Sequence, residues 1–459
     1  MPDYLPHTDE ELAQMLAFLG LSSLDELFAA VPAALRVAGG LDLAPGAPEP
    51  DVVEHLSGLA EVNRARADRL VCFAGGGAYD HEIPPVVRAL AGRSEFVTAY
   101  TPYQPEVAQG VLQAVFEFQT MVARLAGLPV ANASLYDGAS ALVEAVNLGA
   151  GASGRATVWL SAGVHPHWRA VLATFAAGTG HRLVDLPLAD GTTVWPDEAG
   201  GEPPGVVVLA YPNYLGCLED LERARAVADR HGALLVVAAD WVCAGILRSA
   251  GEAGADVVVG EGQAFGTPLS FGGPYLGLFA CTMDQVRRLP GRLVGETVDR
   301  EGRRAYVTTL RAREQDIRRE KATSNVCTNQ TLMAVAAAVQ LGWLGPSGLA
   351  EVARRCALGA HYCRDALLAL DAVEPLTGAT PVVREFTVRT PVPAETVVAR
   401  LADEGYLAGL ALRGLVGESG DASVGAADAE AGLLVSVTER RTRGEIDGFV
   451  AAFDKAVRP

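Results

Sequence analysis

Asp256-Val257-Val258-Val259-Gly260-Glu261-Gly262-Gln263-Ala264-Phe265-Gly266-Thr267-Pro268-Leu269-Ser270-Phe271-Gly272-Gly273-Pro274-Tyr275-Leu276-Gly277 is a short apolar run followed by a long glycine-rich loop. A run of valines this short and continuous suits a strand covered on both faces of a sheet. Loops at the carboxyl ends of such strands are where α/β proteins place their chemistry. This loop has the setting for a catalytic lysine and contains none.

Working outward, Arg155 to Ala280 alternates strand and helix patterns. Thr157–Leu160, Leu183–Leu186, Val206–Ala210, Leu234–Ala238, Val257–Val259 and Tyr275–Ala280 read as strands. His167–Ala177 and Leu218–His231 read as helices between them. The expected class is α/β, with a mainly parallel sheet flanked by helices. No G-x-G-x-x-G opens a helix after a strand, and no P-loop occurs, so a nucleotide site has no support. No His/Cys/Asp/Glu set has metal-ligand spacing, and His165-Pro166-His167 is an isolated pair.

The chain has 459 residues, which points to two domains and an arm. Half the residues are hydrophobic and 20% are charged, enough to build a large core. A net charge of −18 argues against nucleic acid or an anionic membrane as partner. The longest apolar run, Ala233 to Leu247, is broken by Asp240, so no membrane span is expected. Seven scattered cysteines without a C-x-x-C pair read as free thiols in a reducing cytoplasm. The N-terminus lacks the pattern of a secretory signal. Only Lys321 and Lys455 are lysines, so lysine chemistry has two candidates.

Thr8-Asp9-Glu10-Glu11 reads as a capping box for a first helix, and Ser22 or Ser23 as the cap of a second one through Leu27. Residues 40–50 read as a loop. Phe73-Ala74-Gly75-Gly76-Gly77-Ala78-Tyr79-Asp80 is either a turn or a place of close backbone approach. Tyr100-Thr101-Pro102-Tyr103-Gln104-Pro105 is a stiff aromatic loop, with Pro105 placed to start a helix running to Ala126. Gly138-Ala139-Ser140 opens another helix, as an anion site or as an ordinary start capped by Asp137. The charged run Arg311–Lys321 reads as a solvated helix face, with Thr323-Ser324-Asn325 capping the helix Gln330–Trp343. Gly345-Pro346-Ser347-Gly348 marks a boundary. The expected division is 1–70 as a helical arm, 71–344 as the large domain and 345–459 as a small α+β domain. In the last, Leu349–Leu370 is a helix, Glu385–Arg389 and Leu433–Val437 are strands, and Thr442 caps the final helix.

Several stretches resemble one family, the glycine decarboxylase P-protein of the glycine cleavage system, in the alpha subunit of its two-gene bacterial form. They are Thr8–Glu11, Thr101–Glu106, Ala131-Asn132-Ala133-Ser134, Val259–Gln263, Phe271–Pro274 and Arg318–Thr328, and the likeness covers the whole chain. The resemblance implies the aspartate-aminotransferase-like fold type I of pyridoxal-phosphate-dependent transferases. It implies glycine as substrate, a beta subunit as partner in a two-alpha, two-beta assembly, and transfer of the aminomethyl group to a lipoylated H-protein. Aligned on Gly272-Gly273-Pro274 with the catalytic sister subunit, Gln263 falls at the Schiff-base lysine. Glutamine forms no imine. Asp240 falls at the partner of the pyridinium nitrogen, His165 near a cofactor-loop histidine, and Gly138, Ala139 and Ser140 at the phosphate turn. The resemblance therefore implies a vestigial pocket, no covalently bound cofactor here, and pyridoxal 5'-phosphate on the beta subunit. Tyr100, Thr101, Tyr103 and Gln104, with Phe271, Gly272 and Gly273, are the loops expected to reach the sister's centre. Lys321, Thr323, Ser324 and Asn325 are a second set, for an anion, the H-protein or an interchain ion pair. The rivals are a self-sufficient enzyme using Lys321 and a non-catalytic structural or regulatory homologue.

Overall fold

The computed structural model describes residues 6–37, 41–67, 70–100, 102–196, 201–378, 380–414 and 426–458. They form two compact units, divided after Ala65.

The first unit is helical. Thr8 caps Asp9–Phe18 reciprocally with Glu11, as the capping box predicts. The second expected helix is shorter and tighter, a 3-10 turn over Leu24–Phe28. A further helix, Glu49–Ala67, was not anticipated. Its weak apolar periodicity, with Pro50 beside its start, hides it from pattern reading. Phe18, Leu35, Leu41 and Leu43 are exposed.

The second unit is built on a seven-stranded sheet. Its order is Val130–Ala131, Gly277–Cys281, Val257–Glu261, Leu234–Ala239, Val206–Tyr211, Thr157–Ser161 and Arg182–Leu186. Gly277–Cys281 runs antiparallel to both its neighbours, and the other pairs are parallel. Alternate side chains of the same strand feed opposite cores, as the two-residue strand period demands. Val207, Leu209, Leu235 and Val237 face one core, and Val206, Val208, Val236 and Val257 the other. From Thr157–Ser161 the chain goes first to one neighbour and then back to the other. The switch point lies between Thr157–Ser161 and Val206–Tyr211, where a ligand crevice opens in such sheets.

Three local expectations are corrected. The helix after Tyr103 begins at Gln109, behind a 3-10 turn at Pro105–Val107. Gln109 ties that turn to a hairpin, donating to the carbonyls of Pro105 (2.7 Å) and Tyr306 (2.9 Å). The helix expected from Leu218 starts at Leu221, because the Asp220 carboxylate caps it by accepting from Arg223 N–H at 2.9 Å. The charged run forms three short turns, Arg311–Arg313, Gln315–Arg318 and Arg319–Lys321, in place of a helix. Its charges repeat without an apolar stripe to bury.

Thr331–Leu368 is long and apolar enough to cross a membrane by composition. Its Ala334, Ala337, Leu341 and Ala353 instead pack against Phe118, Trp241 and Phe265 in the core. It bends at Gly345, which has left-handed φ, so the expected boundary is a kink within a helix. Beyond it, Glu385–Arg389 and Gly432–Ser436 pair antiparallel at the centre of a four-stranded sheet. Val71–Cys72 pairs with Tyr406–Leu407, and Phe73 stacks on Phe449 with centroids 4.0 Å apart. This entering segment belongs to the C-terminal core. Phe449→Ala should cost about 3–5 kcal/mol by leaving a cavity beside Phe73, read as a lower urea midpoint with unchanged slope.

Candidate active site

The crevice at the carboxyl ends of the parallel strands holds a cavity of about 80 Å³. Tyr79, His165, Tyr214, Asp240, Glu261 and Arg384 are among the residues lining it. A wider mouth, about 420 Å³, lies outside it between Tyr136, His167, Gly272 and Gln330.

Gln263 is only 2% exposed, and its amide is fully engaged. Its oxygen accepts from the Tyr79 N–H at 2.9 Å. Its nitrogen donates to the carbonyls of Tyr79 at 3.1 Å and Thr267 at 2.8 Å. Burying an amide is tolerable only with such partners. The side chain thereby sews the post-strand loop to the glycine cluster. The cluster serves close approach, within this chain. A β-carbon on Gly75 would lie 2.3 Å from a Glu385 carboxylate oxygen, and one on Gly77 2.9 Å from the His165 ring.

Asp240 follows the strand Leu234–Ala239, and its two oxygens are both used. One accepts from the Val242 N–H at 3.0 Å and lies 3.3 Å from that of Cys243. The other is 2.6 Å from the Arg384 guanidinium. Both side chains are buried, Arg384 almost wholly. Arg384 also lies 3.4 Å over the Tyr79 ring and donates to His81 Nε2. A guanidinium only donates, so His81 carries its proton on Nδ1 and gives it to Glu439 at 2.6 Å. Burial opposes ionisation of Glu439, but the His81 hydrogen bond and the Glu82 N–H hold it down to about 2. Burial is the largest single influence and lowers the Arg384 value, but Asp240 with Tyr79, Cys243 and Glu385 together raise it, so this cation stays charged. The Tyr79 hydroxyl donates to Glu385 at 2.8 Å, and burial with that carboxylate pushes the phenol well up. His81, Cys356 and Glu439 also have metal-ligand atoms within 4.8 Å of one another. A cation there would compete with Arg384 for His81, and like charges repel.

The helix start at Gly138 is filled in the same way. Gly138 N–H donates to Glu261 at 2.9 Å, and Ser140 N–H to Asp137 at 2.7 Å. Ala139 lines the outer mouth. The N-terminal anion site of this helix is thus occupied by the chain's own carboxylates. Burial pushes Glu261 up to about 7, although the N–H groups of Leu276, Gly138 and Gln263 favour its charged form. His165 donates from Nε2 to the Gly76 carbonyl at 2.6 Å and accepts the His167 N–H on Nδ1. Burial lowers its value to about 4, so it is neutral at ordinary pH.

The resident residues do not fit pyridoxal phosphate. Where the resemblance puts the imine nitrogen stands a hydrogen-bonded glutamine. The carboxylate it assigns to a pyridinium nitrogen is bound to Arg384, and the turn it assigns to the phosphate holds Glu261.

The expected interface residues are distributed as follows. Tyr100 and Gln104 are exposed, and Thr101 lies outside the described residues. The Tyr103 hydroxyl accepts from Arg292 at 3.0 Å, and Arg292 and Arg311 lie 4.8 and 5.9 Å from its ring centre. Phe271 is fully exposed on a run of positive φ from Ser270 through Gly273. Gly272 lines the outer mouth. Lys321, Thr323 and Asn325 are exposed, while Ser324 is partly buried, hydrogen-bonds Glu144 and accepts from Val326 N–H. None of these three polar residues caps the following helix, which starts only at Thr331. Arg292, Arg384, His81 and Glu439 were missed by sequence reading, for each is defined by partners remote in the chain.

The strand order and the crevice define an α/β fold of the aspartate-aminotransferase-like, fold type I class. Solved structures agree: a sphingosine-1-phosphate lyase from Burkholderia pseudomallei aligns with TM-score 0.63 at 16% identity over 94% of each chain. A crystal structure of glycine decarboxylase (P-protein) of the glycine cleavage system, in inhibitor-bound form, aligns with TM-score 0.88 at 45% identity, covering 99% of this chain and 100% of that one. The family model for the glycine cleavage system P-protein matches residues 2–385. A probable glycine dehydrogenase (decarboxylating) subunit 1 from Moorella thermoacetica is 47% identical over 98% of both chains. The corresponding protein of Geobacillus thermodenitrificans is 45% identical over 97% of both. The chain belongs to the glycine cleavage system P-protein family, and its likeness is to the subunit-1 proteins of that family.

The Glu261 value carries a stability prediction. A folded-state value above the ordinary one favours the protonated form on folding. Its contribution is complete below the ordinary glutamate range and is lost as pH climbs through about 7. Urea unfolding should give a chain that loses stability from pH 5 to pH 8, with up to about 3 kcal/mol from this group. Glu261→Gln should flatten the dependence. An unchanged slope in the variant would contradict the assignment.

Proposed function

We propose that this chain is the non-cofactor half of a two-chain glycine decarboxylase. With its sister subunit it decarboxylates glycine and delivers the aminomethyl group to the lipoyl arm of the H-protein, in the cytoplasm. Pyridoxal phosphate belongs on the sister subunit, in an assembly of two chains of each kind. When bound there, it supplies the electron sink that decarboxylation needs.

One observation carries the reading: neither of the chain's two lysines is among the residues lining its own crevice. Lys321 is exposed on the turn Arg319–Lys321, and Lys455 is exposed on the final helix. Buried Gln263 stands instead at the loop where the nucleophile belongs. The chain's remaining part is to complete a neighbour's centre. Tyr100, Tyr103 and Gln104 would border it, with the Phe271 loop held open by left-handed backbone for a contact across the interface. Lys321, Thr323 and Asn325 would meet the sister chain or the H-protein.

Two tests follow. Co-expressed with the sister subunit, Tyr103→Ala or Gln104→Ala should assemble normally and lower glycine decarboxylation about tenfold or more. Unchanged turnover would remove these loops from the centre. Separately, Gln263→Lys in the isolated chain should give no stoichiometric visible imine band with added pyridoxal phosphate. Arg384 and Glu261 would still fill the remaining seats, so a full band would overturn the account of the pocket.

A further inference from the structure

Arg292 is an outlier among this chain's buried arginines. It is 6% exposed, yet among the described residues it forms no ion pair with a carboxylate. The other two arginines buried among the described residues are compensated, Arg384 by Asp240 and Arg169 by Asp185. In a chain of net charge −18 the lack of an acid beside Arg292 is not a shortage of acids. One edge of its guanidinium is fixed: Nη2 donates to the Tyr103 hydroxyl and the Cys327 carbonyl, each at 3.0 Å. Its plane lies 4.8 Å from the Tyr103 ring centre. The other terminal nitrogen, Nη1, is buried with no partner. Burying a guanidinium with open donors and no counter-charge is strongly unfavourable unless an anion arrives.

A second arginine stands by the same ring. Arg311 lies 5.9 Å from the Tyr103 centre and makes a 3.9 Å contact with Asp316. Three separate segments converge here. Cys327 N–H donates to the Tyr136 hydroxyl at 3.3 Å, and Asn329 donates to the Ala133 carbonyl at 2.8 Å. The Arg292 carbonyl itself accepts from Ala133 N–H. The backbone around Arg292 is therefore fixed, while one edge of its side chain has no partner. With both Nη2 hydrogens committed, Nη1 is the donor left without a partner, and its N–H pair suits one oxygen of a carboxylate or a phosphate monoester.

We propose that Arg292, assisted by Arg311, is an anion-binding site which this chain lends to the centre it completes on its sister subunit. The inference rests on the function proposed above. Its ligand is an oxyanion of that centre, from one of two sources: the carboxylate of glycine or the phosphate of the cofactor. Tyr103 is then a positioning residue, holding the guanidinium in place.

The test uses the assembled two-subunit complex carrying Arg292→Gln, Arg292→Lys or Arg311→Gln. Assembly is followed by size exclusion, and glycine KM, kcat and the pyridoxal phosphate dissociation constant are measured. The Arg292→Gln complex should assemble and raise one of the two binding constants at least about tenfold, the loss expected for a charged hydrogen bond. Arg292→Lys should do so less, and Arg311→Gln by about two- to fivefold, as befits a more exposed cation. A rise confined to glycine KM identifies the substrate carboxylate. A rise confined to the cofactor constant, with inorganic phosphate competing in the wild type, identifies the phosphate. The proposal is overturned if assembled Arg292→Gln complex keeps both constants. It is equally overturned if the variant impairs assembly while whatever assembles binds normally, since Arg292 is then an interchain ion pair. Should Arg292→Gln fail to fold, Arg292→Lys and Arg311→Gln decide by the same constants. A wild-type chain that gives the sister subunit no activity would instead remove the proposed function itself.

Discussion

The buried ion pair between Asp240 and Arg384 governs the character of this molecule. Asp240 stands just past the end of a central parallel strand, and Arg384 just before Glu385–Arg389, a central strand of the C-terminal sheet. The pair therefore ties the two sheets together across the crevice. Desolvating two charges is costly, and what offsets it here is geometry. Asp240 also accepts from backbone N–H groups, and Arg384 lies on Tyr79 and donates to His81. Removing one member of such a pair leaves the other stranded, at a cost of about 3–5 kcal/mol. The same contact occupies the carboxylate that the family resemblance places beside a cofactor's pyridinium nitrogen.

The remaining seats are closed by the same logic. Gln263 satisfies its amide on the glycine cluster, and Glu261 takes the N–H at a helix start. A fold type I pocket is kept as architecture while its polar groups are turned on one another. Buried polar groups must be paired, so a pocket that gives up its ligand must supply internal partners. That is why Gly75 and Gly77 lack side chains: Glu385 and His165 need the space.

Much of this was legible in the sequence. The valine-rich strands announced a parallel sheet because continuous burial on both faces leaves a continuous apolar run. Gln263, Asp240 and His165 were legible through the family resemblance, aligned on Gly272-Gly273-Pro274, and each sits just after a strand of the sheet. Arg384, His81 and Glu439 were not, because their roles come from contacts some 300 residues apart in the chain. The turns over Arg311–Lys321 were read as a helix because charge spacing alone does not say whether a face is buried. Arg292 follows Pro290-Gly291, in a stretch with no motif, and only its unpaired burial draws attention to it.

The central claim is that this chain keeps the fold of a cofactor enzyme while its own side chains fill the site, leaving its loops to serve a neighbour. The most direct measurement is the pyridoxal phosphate content of the purified complex, released and quantified against both chains. The account predicts one cofactor for each pair of unlike chains, all of it attached to the sister subunit after reductive trapping. Two cofactors per pair, or a trapped cofactor on any peptide of this chain, would contradict it.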